Sequence, residues 1–203
     1  MEEDYLLQIQ KPARYIGAEW NVSKKDFDTA CVKVALCFPD LYEVGMSNLG
    51  VRILYGVLNA QEGVVCERFF SYAVDMEALA RSLGLGLVSL ESRRRLNEFD
   101  IAGFSLSHEL SYTNVLAMLE LGGVPLRSSQ RDHAHPLVIA GGPCTLNPEP
   151  MHDFFDAFVI GEAEEAVQEI TALYQKHRLA YKQGALSKED LLIMLTQIEG
   201  IYV

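Results

Sequence analysis

Within six residues the chain sets an acid, a phenol and a glycine where an apolar run ends: Asp40, Tyr42 and Gly45 in LCFPDLYEVGMSNLG, Leu36 to Gly50. Three further groups stand at the ends of other apolar runs: Ser105 and Ser107 in GFSLSHEL, Gly141 and Gly142 in VIAGGPCTLNPEP, and Glu162 in FVIGEAEE. Hydroxyls and carboxylates can hold a ligand by hydrogen bonds, and glycine lets one approach the backbone because no Cβ intervenes. The chemistry these types imply is the binding of a ligand. Phosphate-loop chemistry is a poor match, because neither G-x-x-x-x-G-K-[ST] nor a G-x-G-x-x-G after the first strand is present.

The runs that carry these residues have a rhythm. VKVALCF, Val32 to Phe38, is apolar and β-branched without a helical period, as a strand buried on both faces should be. SNLGVRILYGVLNAQ then shows one apolar helical face, with Ser47 or Asn48 as candidate cap. Further strands are expected at Val64–Phe70, Ile101–Leu106, Leu137–Ala140 and Ala157–Ile160, and LGLVSL is ambiguous. Helices are expected in DMEALARSLG, ending at Gly84, in ELSYTNVLAMLELGG, in EAEEAVQEITALYQKH and in SKEDLLIMLTQI, capped by Ser187. Strand–helix alternation with short loops predicts an α/β flavodoxin-like doubly wound sheet of about five mainly parallel strands. In such a sheet ligands sit beyond the carboxyl ends of the strands, so Pro39–Ser47, Ser105–Glu109, Gly141–Thr145 and Gly161–Glu164 are expected to form one concave edge.

Composition narrows the classes. The 203 residues are 49% hydrophobic and carry a formal net charge of −11, so a phosphate-tracking nucleic-acid surface is not expected. No apolar run reaches the ~18 residues of a membrane span, and the acidic start MEEDYLLQIQ is unlike a signal peptide. A cytoplasmic protein is expected. Cys31, Cys37, Cys66 and Cys144 lack cluster or zinc spacing and read as free thiols, Cys37 and Cys66 as core. Residues 1–30 read as an extended arm, 31–178 as the α/β domain and 179–203 as a helical linker.

With these residues in place a resemblance emerges. DLYEVG, Asp40 to Gly45, then SLS, Ser105 to Ser107, then Gly141-Gly142 resemble in order and location the D-x-H-x-x-G, serine and G-G motifs of flavodoxin-like cobalamin-binding domains. ARYIGAEWN, FDIAGFSLSHELSYTNVL, PLVIAGGPCTLNPEP and FFDAFVIGEAEE resemble the N-terminal part of cobalamin-binding-type radical S-adenosylmethionine (SAM) proteins, from about Lys11 to about Lys176. The resemblance implies cobalamin as cofactor, with Asp40, Tyr42, Gly45, Ser105, Ser107, Gly141, Gly142 and Glu162 as candidate binding residues. It also implies a radical SAM barrel domain in cis. That barrel, through C-x-x-x-C-x-x-C, would hold the 4Fe-4S cluster and SAM; the motif is absent from this sequence, so the chain is expected to be the N-terminal domain alone.

Tyr42 stands where the resemblance would place a cobalt-ligating histidine. A phenol with an ordinary pKa near ~10 is a poor neutral cobalt ligand, so ligation from below is not expected. On the resemblance, Asp40 orients the turn, Tyr42 packs against the corrin and Gly45 admits the nucleotide tail. The alternative is a degenerate fold kept as a docking or substrate-gating module without corrin. A stand-alone flavin or nucleotide binder is a third reading.

Overall fold

The computed structural model describes residues 4–17 and 19–203. Its frame is one sheet in the order β2-β1-β3-β4-β5-β6. The strands are β1 (Val32–Phe38), β2 (Val64–Phe70), β3 (Ile101–Ser105), β4 (Leu137–Gly141), β5 (Ala157–Val159) and β6 (Ile201–Tyr202). The first five are parallel, and β6 pairs antiparallel with β5 at the edge. This is the flavodoxin-like doubly wound arrangement expected from the strand–helix rhythm. Strand order reverses at β1, which lies between β2 and β3.

Helices cover both faces. α2 (Leu49–Ala60), α5 (Ala163–Lys182) and α6 (Lys188–Leu195) pack on Val34, Leu36, Ile101, Ile139 and Val159. α4 (Tyr112–Leu121) packs on Ala35, Cys37, Ala102, Phe104 and Val138 of the opposite face. α3 (Val74–Leu83) closes over Leu6, Ile9 and Tyr15 of the N-terminal arm. Side-chain alternation along each strand assigns the two faces: on β3, Ile101, Gly103 and Ser105 face α2 and α5, whereas Ala102 and Phe104 face α4.

Local chemistry sets several helix ends as the sequence predicts. Asn48 caps α2 by accepting from Val51 N at 3.0 Å, Ser187 caps α6 by accepting from Asp190 N at 3.0 Å, and Gly84 ends α3 in the left-handed region. Cys37 and Cys66 are buried, as expected of core thiols.

The ambiguity of LGLVSL resolves as a connection: it forms no strand, and an isolated bridge joins Val88 to Arg95. Three features differ from the sequence reading. The arm opens with two short 3-10 turns, Asp4–Gln8 and Pro12–Tyr15, where an extended run is expected, and residues 19–30 follow as turns and irregular backbone; residues 1–3 and 18 lie outside the described residues. The turn after β1 contains a helix, α1 (Tyr42–Ser47). The last residues, read as a linker, fold back: Leu191, Leu195 and Ile198 join the core, and β6 extends the sheet. Among the described residues no helix is long and apolar enough to cross a membrane.

A cavity at the carboxyl edge of the sheet

Because β1, β3, β4 and β5 run parallel, the segments that follow them share one edge. Hydrogen bonds knit that edge together. Asn114 Nδ2 donates to Pro39 O at 2.9 Å, Leu106 N to Gly141 O at 2.7 Å, and Cys144 N to Leu106 O at 3.2 Å. Thr145 Oγ1 lies 2.9 Å from Val159 O, which fastens the loop after β4 to β5. His108 Nε2 stands 3.7 Å from Asp40 Oδ2 across the loops after β3 and β1.

Under this edge, between the sheet and helices α2 and α5, lies a cavity of about 460 Å3. Its floor follows from two rows of the sheet register. In one row Leu36, Gly103, Ile139 and Ala157 stand side by side; in the next, Ser105 is beside Gly141. Gly103 and Gly141 bring no side chain to this face, and the helices bridge over the gap with Leu54, Leu58, Val167 and Ile170. From Ser105 to Ile101 the floor runs four residue steps, a depth of ~13 Å at ~3.3 Å per residue. Polarity is graded along that depth. Asn48, Ser105, Ser107, Glu162 and Glu164 surround the mouth, and beyond them the lining is aliphatic apart from Thr171. Among the described residues neither serine hydroxyl has a protein partner.

The glycines differ in what they do. A Cβ on Gly141 would meet nothing within 4 Å, and one on Gly103 would only touch Ala35 O at 3.9 Å, so both leave room that the protein itself does not use. Gly142 is different: its φ of +100° and the 2.8 Å from a built Cβ to Leu106 O make it a requirement of the backbone turn. Gly103 is a site residue that the strand-end reasoning misses, because it lies inside β3. Its signal was available, since a glycine inside a buried strand marks a bulge or a close approach of another group.

Of the expected site residues, Ser105, Ser107, Gly141, Gly142 and Glu162 line the cavity, whereas Asp40, Tyr42 and Gly45 do not. Asp40 folds back on its own turn, accepting from Leu41 N at 2.7 Å. Gly45 faces Phe70 and Phe38 inside α1; a Cβ there would overlap the Phe70 ring, so its glycine serves packing and leaves no passage for a tail. Tyr42 packs edge-on against Phe70 at 5.5 Å and donates to Glu19 Oε1 at 2.7 Å. Glu19 also pairs with Arg68 at 3.1 Å, and Arg68 with buried Glu91 at 2.7 Å. Although burial opposes charge on Glu19, the Tyr42 hydroxyl and Arg68 hold its carboxyl below the ordinary value.

Burial and the Glu19 carboxylate push the Tyr42 phenol up to about 12. Its proton therefore stabilises the folded state in full below the unfolded value of ~10, and that contribution is lost as pH rises through about 12. Tyr42→Phe is expected to lower stability by about 1 kcal/mol in urea titrations at pH 7 and to leave the cavity unchanged. In the wild type, ultraviolet titration of this phenol should show ionisation only above the ordinary tyrosine range.

Among the described residues no three His, Cys, Asp or Glu side chains converge to hold a metal. The chain is 26% identical over 132 residues to the "Uncharacterized protein MJ0966" of Methanocaldococcus jannaschii, a stretch covering 64% of this chain and 24% of that relative. The matched part thus spans about a quarter of the length of the curated relative. No solved structure matches the chain. The family described as "Radical SAM proteins, N-terminal" matches residues 50–203, from the first turn of α2 through β6, and the chain belongs to this family of radical SAM N-terminal domains.

Proposed function

We propose that this domain binds cobalamin at its carboxyl edge and presents it to a radical SAM barrel domain of the same polypeptide, which holds the 4Fe-4S cluster and SAM. One observation carries the reading: a cavity opened by Gly103 and Gly141 in the middle of a close-packed sheet, continuous with the edge where doubly wound folds take ligands. Its volume lies in the range of small-molecule and cofactor sites, roughly 300–1,000 Å3. A floor that is apolar except for Thr171, with the Ser105 and Ser107 hydroxyls at the mouth, suits a nucleotide tail whose base goes in first and whose sugar stays near the two serines.

Bound there, the corrin would supply a cobalt centre for methyl-transfer or one-electron chemistry. The chain's own residues hold it by shape: α2 and α5 exclude water from the tail, the two serines orient its sugar, and Gly141 allows the backbone approach. Tyr42 keeps its proton, donating a hydrogen bond to Glu19, so its phenol would offer cobalt no ligand. Titration of the domain with hydroxocobalamin, followed by visible absorbance, is expected to show saturable binding without a histidine-ligated spectrum.

A second reading has its own support. Val44, Leu49, Leu110 and Leu146 project from the same edge, with Leu110 at 87% and Leu146 at 78% exposure. An apolar rim of this kind suits a domain that docks against a partner. If the titration shows no binding at high cobalamin concentration, the docking module without corrin is the function that remains.

A further inference from the structure

The polarity of the cavity says more than that a tail enters it. Past the mouth, the walls are Val34, Leu36, Leu54, Leu58, Ile101 and Ile139, with no hydrogen-bonding side chain among them. Thr171 is the polar side chain at depth, and its hydroxyl lies 2.8 Å from both Gln61 Oε1 and Val167 O. Its single proton is committed, leaving one oxygen to meet whatever comes in. Gln61 Nε2 has no partner among the described residues, yet Gln61 does not line the cavity. A polar atom brought to that depth would give up its water and find almost nothing in return.

Resting on the cobamide reading above, we propose that this cavity selects cobamides by their lower base, accepting an apolar bicyclic arene such as dimethylbenzimidazole and discriminating against adenine. Both bases are flat and of similar size, so the floor opened by Gly103 and Gly141 admits either one sterically. They differ in hydrogen bonding. The benzimidazole presents methyl groups and ring carbons to Leu58, Ile101 and Ile170. Adenine presents an exocyclic amine and ring nitrogens, for which Thr171 offers a single acceptor. Each polar group left unpaired in an apolar site is worth roughly five- to 150-fold in affinity, and adenine brings more than one.

Equilibrium dialysis of the domain against three corrinoids, read by visible absorbance, tests this. The three are cobalamin, the cobamide that carries adenine, and cobinamide, which has no nucleotide. Cobalamin is expected to bind at least about tenfold more tightly than the adenine cobamide, with cobinamide weaker than cobalamin. Val167→Asn, which places an amide on the cavity wall from a half-buried helix position, is expected to narrow the gap by favouring adenine. Equal affinity for the two cobamides overturns the selectivity and leaves corrin binding intact. Cobinamide binding as tightly as cobalamin means the tail lies outside the cavity, which also overturns it. If none of the three binds, the cobalamin function itself falls, and the selectivity with it.

Discussion

Gly103→Leu is expected to weaken cobalamin binding by roughly 100-fold or more while leaving the domain folded. The residue stands mid-strand between Leu36 and Ile139, and a side chain there points into the cavity between sheet and helices. Nothing in the protein resists it, since the nearest atom to a built Cβ is Ala35 O at 3.9 Å. Leucine would occupy the volume the ligand needs. It would also remove the entropic cost of a glycine in a strand and fill part of an apolar void, so the free domain should gain about 1 kcal/mol and melt roughly 2–4 °C higher. Loss of ligand with gain of stability is a combination that a damaged fold cannot produce. Gly141→Val should act in the same direction at the mouth. Substitutions at Gly142 are uninformative for binding, because its φ of +100° and its contact with Leu106 O would strain the turn itself. Absorbance titration and differential scanning calorimetry on the same samples provide both readings. Wild-type affinity in Gly103→Leu would remove the cavity from consideration as the binding site.

The largest loss of stability is expected far from that site, at Asp156. Its side chain is fully buried just before β5, where it accepts from Val138 N at 2.7 Å and from Ser128 Oγ at 2.6 Å. It also pairs with Arg131 at 3.1 Å and Lys188 at 2.6 Å. Arg131 is itself 1% exposed at its side chain, so its charge has no water to fall back on. Asp156→Asn keeps the volume and leaves two cations without their counter-charge. Breaking a buried pair from one side costs about 3–5 kcal/mol, which for a chain of this size lowers the melting temperature by on the order of 10 °C. Lys188 begins α6, so its pair with Asp156 also fastens the C-terminal segment to the sheet. Cobalamin affinity at low temperature should be unchanged, since Asp156 lies at the amino end of β5 and the cavity opens at the carboxyl end. A melting temperature within a degree or two of wild type would show that the charges find other partners.

What the sequence determined by itself is the set of features governed by near neighbours. β1 to β5 were legible because strands buried on both faces are unbroken apolar, β-branched runs, and that composition is local. Asn48, Ser187 and Gly84 were legible as helix ends because a cap is a contact spanning three or four residues. Parallel strands then place their following loops on one edge by chain geometry alone, which is why Ser105, Ser107, Gly141, Gly142 and Glu162 group together from the sequence alone. The tertiary structure decided the rest. β6 is two residues long and exists only because β5 offers it an edge. α1 contains a glycine that disfavours helix; Gly45 is held there by Phe70, 25 positions away in β2. Tyr42 turned from the cavity toward Glu19 and Phe70, partners 23 and 28 positions distant that no local pattern connects to it. Gly103 became the floor of a cavity through the register that sets it between Leu36 and Ile139 and through two helices that span the gap without filling it. Periodicity and capping are written in adjacent residues, whereas the space left between packed side chains depends on which distant residues the fold brings together.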